Sequence, residues 1–324
     1  MNNPIDISIE KAIELIKKCK NIYIVSHVQP DGDNIGSTLA LAMAIKKLKG
    51  NINVLKVDNI PSDYEFLPSI ELIKNHNLDK PIELLITLDS SDLERIGKGR
   101  KFAEKAKYII NIDHHITNDN FGDINIVSPK AAATGEIIYQ FIEKMGIDID
   151  KDIATCLYTA ISTDTGSFMY SNTTYKTHLI VSELLKLGID TDYININLYQ
   201  SRSIARTKLF INSLSSLETF LEGKIGIVAI TQEMLKTNGA KMEDTEGIIS
   251  FIRGIKSIEV ACLLKELDEK EIKVSLRSKK QIDVSKICNK FNGGGHVRAA
   301  GCTIYENISK AKNIIVEEIL LHFR

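Results

Sequence analysis

The chain has 324 residues, 44% apolar and 26% charged, with 19 Gly, 6 Pro and a formal net charge of −1. That length supports about two domains, and the composition excludes collagen-like, low-complexity and disordered classes. No apolar run approaches the roughly 18 residues a bilayer crossing needs, and charges interrupt MNNPIDISIEKAIELIKKCK throughout, so neither a membrane span nor a signal peptide is read and a cytoplasmic location is expected.

In chain order, residues 8–19 repeat apolar positions at helical spacing, and NIYIVSH then reads as a strand ending in a polar cluster. Residues 35–48 are helical by pattern, INVLKV is β-like, and PIELLITLDSSD and KYIINIDHH are apolar runs that end in acids and histidines. Residues 131–145, 151–163 and TYKTHLIVSELLKLGI read as helices, the last closing at Gly188. Strands alternating with amphipathic helices predict βαβ units: an α/β domain over 1–189 with a mainly parallel sheet and helices on both faces. In such sheets ligands bind beyond the carboxyl ends of the strands.

The polar, helical stretch 190–216 reads as a linker. After it KIGIVAI, IEVACLLKEL and EIKVSLRS are strands, the second and third forming a hairpin across Asp268–Lys270. VSKICNKF is a helix, GGGHVRAAG a glycine-rich loop, and a last helix covers about 309–323. Residues 217–324 are therefore expected to form a smaller α+β domain. Cut near Asp190, the chain is asymmetric: residues 1–190 carry −5 and residues 191–324 carry +4. An acidic half beside a basic half suits a metal-binding domain paired with one that receives an anion. The five cysteines (Cys19, Cys156, Cys262, Cys288, Cys302) contain no C-x-x-C and read as reduced, buried thiols.

Four places carry chemistry in the first half. His27-x-x-x-Asp31-x-Asp33 lies between a strand and a helix, and Pro30, Gly32 and Gly36 are expected to let that loop turn sharply. It is no EF-hand, since the fifth and twelfth positions would be Ile35 and Ala42. Asp89 ends an apolar strand, Asp113-His114-His115 ends another, and Asp164 follows an apolar helix. Taken singly, each is an ordinary turn or cap residue; together they predict one shared metal site. Carboxylate and imidazole without thiolate favour Mn²⁺ or Mg²⁺ over structural zinc, and six or seven ligands are too many for one ion. Two metals sharing one bridging carboxylate would use them all and would suit hydrolysis at phosphorus. In the second half, Gly293, Gly294 and Gly295 let backbone N–H groups approach an anion, with His296, Arg298 and Arg277 supplying charged donors.

SHVQPDGDNIGS, LDSSD, IDHHITN, STDTGSF and GGGHVRAAG, in that order, resemble the DHH–DHHA1 phosphoesterase family over almost the whole chain, and within it the bacterial oligoribonuclease/pAp phosphatases, or nanoRNases. The resemblance implies a DHH domain followed by a substrate-binding DHHA1 domain, with catalysis in the cleft between them. It implies that His27, Asp31 and Asp89 hold a first metal and Asp33, Asp89, His114 and Asp164 a second. Asp113 would orient the neighbouring imidazoles, and His115 would meet the scissile phosphate. The implied cofactor is a pair of Mn²⁺ ions, with Mg²⁺ or Co²⁺ as alternatives. The implied substrates are short RNA oligonucleotides, cut to 5′-mononucleotides, and pAp (3′-phosphoadenosine 5′-phosphate), converted to AMP by a metal-activated water attacking in line. Cyclic dinucleotides are the alternative substrate. RecJ-like exonuclease action and non-catalytic nucleotide binding are the weaker readings, and the oligomeric state is left open, a homodimer included.

Overall fold

The computed structural model describes residues 4–78 and 80–323 and divides into two compact units, one ending at Ser201 and one beginning at Arg202.

The first unit runs α1 (Pro4–Lys18), β1 (Ile22–Ser26), α2 (Gly32–Lys49), β2 (Asn53–Leu55), β3 (Ile73–Lys74), β4 (Ile82–Leu88), α3 (Arg100–Ala103), β5 (Ala106–Asp113) and β6 (Ile124–Val127). Helices α4 (Thr134–Met145), α5 (Lys151–Asp164), α6 (Tyr175–Lys186) and α7 (Thr191–Tyr199) complete it. The six strands form one parallel sheet in the order β3-β2-β1-β4-β5-β6. Strand side chains alternate between faces: Ile22, Ile24, Leu84 and Ile86 join the large core with α1, α2, α4 and α5, while Tyr23, Val25, Leu85 and Phe102 form a smaller one on the other face. The strand order reverses between the neighbours β1 and β4, which is the switch point where open α/β sheets bind ligands.

Helix α2 is buried from Gly32 to Ile45, so it is apolar all round and serves as the central helix rather than a surface one. Its glycines correct the sequence reading. Gly32 and Gly36 lie inside the helix, where a Cβ on Gly32 would come within 2.4 Å of Thr163 Oγ1 and one on Gly36 within 2.4 Å of the Cys156 carbonyl. They permit close α2–α5 packing; the turn before them is made by Gln29, which takes a φ of 56°. The short strands β3 and β6 fall in stretches that the apolar pattern had left unassigned.

The second unit comprises α8 (Ile204–Leu214), β7 (Glu218–Phe220), β8 (Ile225–Ile230), α9 (Gln232–Asn238), α10 (Ile248–Gly254), β9 (Val260–Asp268), β10 (Glu271–Ser278), α11 (Val284–Asn289), β11 (Gly294–His296), β12 (Ala299–Ile304) and α12 (Ile308–Leu321). Its sheet, ordered β11-β12-β10-β9-β8-β7, is antiparallel except for β8 against β9. One face packs on α11 and α12 and the other, over β8 and β9, on α8, α9 and α10. The stretch Gly293–Gly301 is a hairpin at the sheet edge, not a free loop. Gly293 is required there because a Cβ would lie 2.2 Å from the Gly301 carbonyl oxygen. All five cysteines are buried and unpaired, and among the described residues no helix is long and apolar enough to cross a membrane.

Candidate metal centre

The carboxyl ends of β1, β4 and β5 deliver His27, Asp89 and Asp113 to one place, and His114 and His115 follow directly. Asp31 is the N-cap of α2, accepting from the Asn34 N–H at 3.0 Å, and Asp33 lies in that helix's first turn. Asp164 arrives as the last residue of α5. Four stretches far apart in sequence thus meet at the switch point of the sheet.

Asp89 stands at the middle. Its Oδ2 lies 3.2 Å from His27 Nε2, which is in turn 3.9 Å from Asp31 Oδ2. Its Oδ1 lies 3.6 Å from His114 Nε2 and 3.7 Å from His115 Nδ1. His114 Nε2 is 3.8 Å from Asp33 Oδ2 and 3.6 Å from Asp164 Oδ2. Three donor sets follow, each with ligand atoms within 4.8 Å of one another: His27, Asp31 and Asp89; Asp33, His114 and Asp164; and Asp89, His114 and His115. The two carboxylate oxygens of Asp89 face different sets.

Asp89 is 2% exposed and sits in the left-handed region at φ 52°, uncommon for a residue other than glycine. Such strain persists only where the surroundings dictate it. Here the Asp89 N–H donates to the Ile112 carbonyl at 3.0 Å, locking the residue across from β5.

Five carboxylates (Asp31, Asp33, Asp89, Asp113, Asp164) face three imidazoles, and this imbalance shows in their acidities. Burial, then the charges of Asp89 and Asp164, raises Asp33 well above the usual carboxylate range. Burial lifts Asp164 to about 6, with His114 opposing and Asp89 adding. Burial also disfavours charge on Asp89, but the His27 hydrogen bond and the three imidazoles outweigh it and lower its pKa. For His115 burial is overcome by the Asp113 hydrogen bond and the Asp89 charge, pushing it up to about 9. A cluster buried at His27, Asp33, Asp89 and Asp113 and open at Asp31, with surplus negative charge and hard oxygen and imidazole donors, fits divalent cations.

A supporting network fixes these groups. Asp113, fully buried, accepts from the His114 N–H at 2.8 Å, from His115 at Nδ1 at 2.7 Å, and from Asn118 Nδ2 at 2.6 Å. Asn118 is also tied to Asn111 Oδ1 at 2.8 Å. Asp33 takes the place of a cap on α4: its oxygens accept from the Thr134 N–H at 2.6 Å, the Gly135 N–H at 2.9 Å and Ser37 Oγ at 2.9 Å. Thr134 Oγ1 donates to Asp89 Oδ1 at 3.0 Å. Asn118, Ser37, Thr134 and Gly135 were missed by sequence reasoning; Asn118, at the end of IDHHITN, and Ser37, at the end of SHVQPDGDNIGS, stood in motifs that could have flagged them.

In the second unit Arg277 and His296 face the same side of the sheet, since Arg277 pairs with Ala299 and Ala299 with His296. Gly294, Gly295 and His296 form the edge strand β11, whose outer N–H and C=O row has no neighbouring strand. Arg298 turns elsewhere, donating from Nη1 to the Ile282 carbonyl at 2.9 Å, which ties the hairpin turn to the chain before α11.

The "DHH family, N-terminal domain" model matches residues 21–161 and the "DHHA1 domain" model residues 226–320. A bifunctional oligoribonuclease and PAP phosphatase NrnA of Thermus thermophilus is 34% identical, over 87% of this chain and 84% of the relative. The chain belongs to the DHH family. The NrnA protein of Bacillus subtilis is 28% identical over 90% of this chain and 92% of its own. A crystal structure of an exopolyphosphatase-related protein from Bacteroides fragilis superposes with a TM-score of 0.91 at 30% identity, covering 97% of this chain and 95% of that one. The chain is a hydrolase of phosphate esters with carboxylate–imidazole clusters that can hold metal.

Proposed function

We propose that this chain hydrolyses short RNA oligonucleotides to 5′-mononucleotides and pAp to AMP, using two Mn²⁺ ions. The observation that carries the reading is Asp89, whose two oxygens face separate donor sets. His27, Asp31 and Asp89 would hold one ion, and Asp33, Asp89, His114 and Asp164 the other. When bound, such a pair supplies Lewis-acid stabilisation and an activated water for in-line displacement. The names of the relatives from Thermus thermophilus and Bacillus subtilis supply the substrate classes.

The chain's own residues account for the rest. His115 binds Asp113 at Nδ1, and that hydrogen bond with the Asp89 charge favours its protonated form, so the ring would donate to a phosphoryl oxygen as negative charge develops there. Asp113 holds that ring in orientation and is itself held by Asn118. Arg277 and His296, on one row of the second sheet, hold the nucleotide end, with the edge N–H groups of β11 beside them. A cytoplasmic setting suits these substrates and the buried, unpaired thiols.

The test is product analysis with Mn²⁺ on pAp, RNA of two to five nucleotides, RNA of about 20 nucleotides and cyclic dinucleotides. The proposal expects AMP from pAp and mononucleotides from the short RNAs, faster than from the long strand. Equal rates on the long strand would favour a RecJ-like exonuclease, and a preference for cyclic dinucleotides a signalling phosphodiesterase.

A further inference from the structure

The register of the second sheet places Lys273 of β10 directly opposite Lys265 of β9. Directly opposed residues of an antiparallel pair share a face with Cβ atoms roughly 4.5–5.5 Å apart, and like charges so placed are destabilising. Both lysines are half-buried, and neither amine makes a hydrogen bond or ion pair to any described residue. Ile230 of β8 flanks Lys265 on its other side, and burial with the charges of Lys273 and Arg277, opposed by that of Glu246, holds its amine below the usual lysine range. An arrangement that costs the free protein stability calls for an anion to offset it.

The rows of that face show where the anion lies. His296, Ala299, Arg277 and Ala261 form one row across β11, β12, β10 and β9. Gly294, Gly301, Ser275 and Leu263 form the next, and Thr303, Lys273 and Lys265 the third. The middle row is small over β11, β12 and β10, leaving a low floor between two basic rows. Helices α8, α9 and α10 cover β8 and β9, but Lys273, Ser275, Gly301 and Thr303 keep partial exposure. With a rise of about 3.4 Å per residue, Arg277 and Lys273 are roughly 14 Å apart along the strand. One phosphate cannot engage both rows.

We propose that Lys265 and Lys273, with the hydroxyls of Thr303 and Ser275, form a second phosphate subsite that receives an internucleotide phosphate of RNA, separate from the Arg277–His296 row. This rests on the oligonucleotide reading above and deepens it: the subsite extends the grip of the second unit beyond a terminal nucleotide and makes affinity rise with length.

The experiment measures binding of 3′-fluorescein-labelled RNA of two and of five nucleotides by anisotropy between about 50 and 200 mM salt. The background carries Asp89→Asn so that the RNA stays uncut, with Lys265→Gln and Lys273→Gln added or not. The subsite predicts that the pentanucleotide loses at least about tenfold in affinity and that its salt slope shrinks by about 0.7–1, the contribution of one neutralised phosphate. The dinucleotide changes much less, so the length preference collapses. The glutamine variants must also melt no lower than their parent, because the opposed charges are gone. An unchanged pentanucleotide slope, an equal loss for both lengths, or a lowered melting temperature would each overturn the subsite. Failure of the wild-type protein with Mn²⁺ to cut either RNA would instead overturn the oligonucleotide reading and the subsite with it.

Discussion

Asp89→Asn separates a bridging carboxylate from an ordinary strand-end acid. Asparagine has nearly the same shape, tolerates the φ of 52° better than most residues, and can still accept from Thr134 Oγ1. It nevertheless removes the carboxylate whose charge the three imidazoles stabilise, so the metal-free variant should melt somewhat below the wild-type temperature. Metal then widens the gap. At a free concentration a hundredfold above the dissociation constant, each occupied site stabilises by about 2.7 kcal/mol, hence about 5.4 kcal/mol for two. For a unit of about 200 residues 1 kcal/mol moves the Tm by roughly 2–4 °C, so wild type should gain about 10–20 °C on adding Mn²⁺.

Because Asp89 belongs to both proposed sites, Asn at this position should remove nearly all of that gain, whereas Asp164→Asn, in one set only, should keep about half. Loss of several kcal/mol of transition-state stabilisation should also lower kcat by about 10³. Differential scanning fluorimetry with and without Mn²⁺, a calorimetric metal titration and a single-turnover assay read these out. A wild-type Mn²⁺ shift in the Asp89→Asn protein, or turnover within tenfold of wild type, would refute the bridging role.

Asn118→Ala should lower kcat by about 10–100-fold with little change in KM, since it leaves the Asp113 that orients His115 short of a 2.6 Å donor; steady-state kinetics check it, and an unchanged kcat would remove Asn118 from the network. In EDTA, Asp164 raised to about 6 and His115 raised to about 9 both bind protons more tightly folded than unfolded, so their stabilisation is complete at low pH and lost as pH rises. The Tm of the metal-free protein should fall from about pH 5 to 9, and added Mn²⁺, which competes with those protons, should flatten or invert the trend. Arg277→Ala or His296→Ala should raise KM while leaving the Mn²⁺ titration unchanged, and loss of metal binding would contradict the division of roles. Gly36→Ala should cost about 1–3 kcal/mol and lower the Tm by roughly 2–12 °C, because its Cβ meets the Cys156 carbonyl at 2.4 Å and α2 must move off α5.

What the sequence makes legible at this site and what it hides divide along a physical line. His27, Asp89 and Asp113-His114-His115 could be read because each terminates an apolar strand, and a parallel sheet gathers such termini at one edge whatever the loops do. The groups that hold these residues could not. Two of the three donors to Asp33 are backbone N–H groups of Thr134 and Gly135, a hundred residues away, and a backbone donor leaves no mark on residue type. Gly32 and Gly36 were misread for a related reason: glycine between a strand and a helix signals a turn, while the need for a close helix crossing depends on a partner, α5, more than a hundred residues on. The triglycine stretch likewise reads as a loop until β12 is known to lie against it. Lys265 and Lys273 are the extreme case. Eight residues apart in a charge-rich segment, they look like solvated lysines, and only the hairpin register, shifted by one residue at Glu271/Ile272, sets them face to face. A slip of one position would turn one of them to the opposite side of the sheet. Catalytic acids at strand ends survive such uncertainty because topology alone positions them; a subsite built across strands depends on register, and register is a property of the fold.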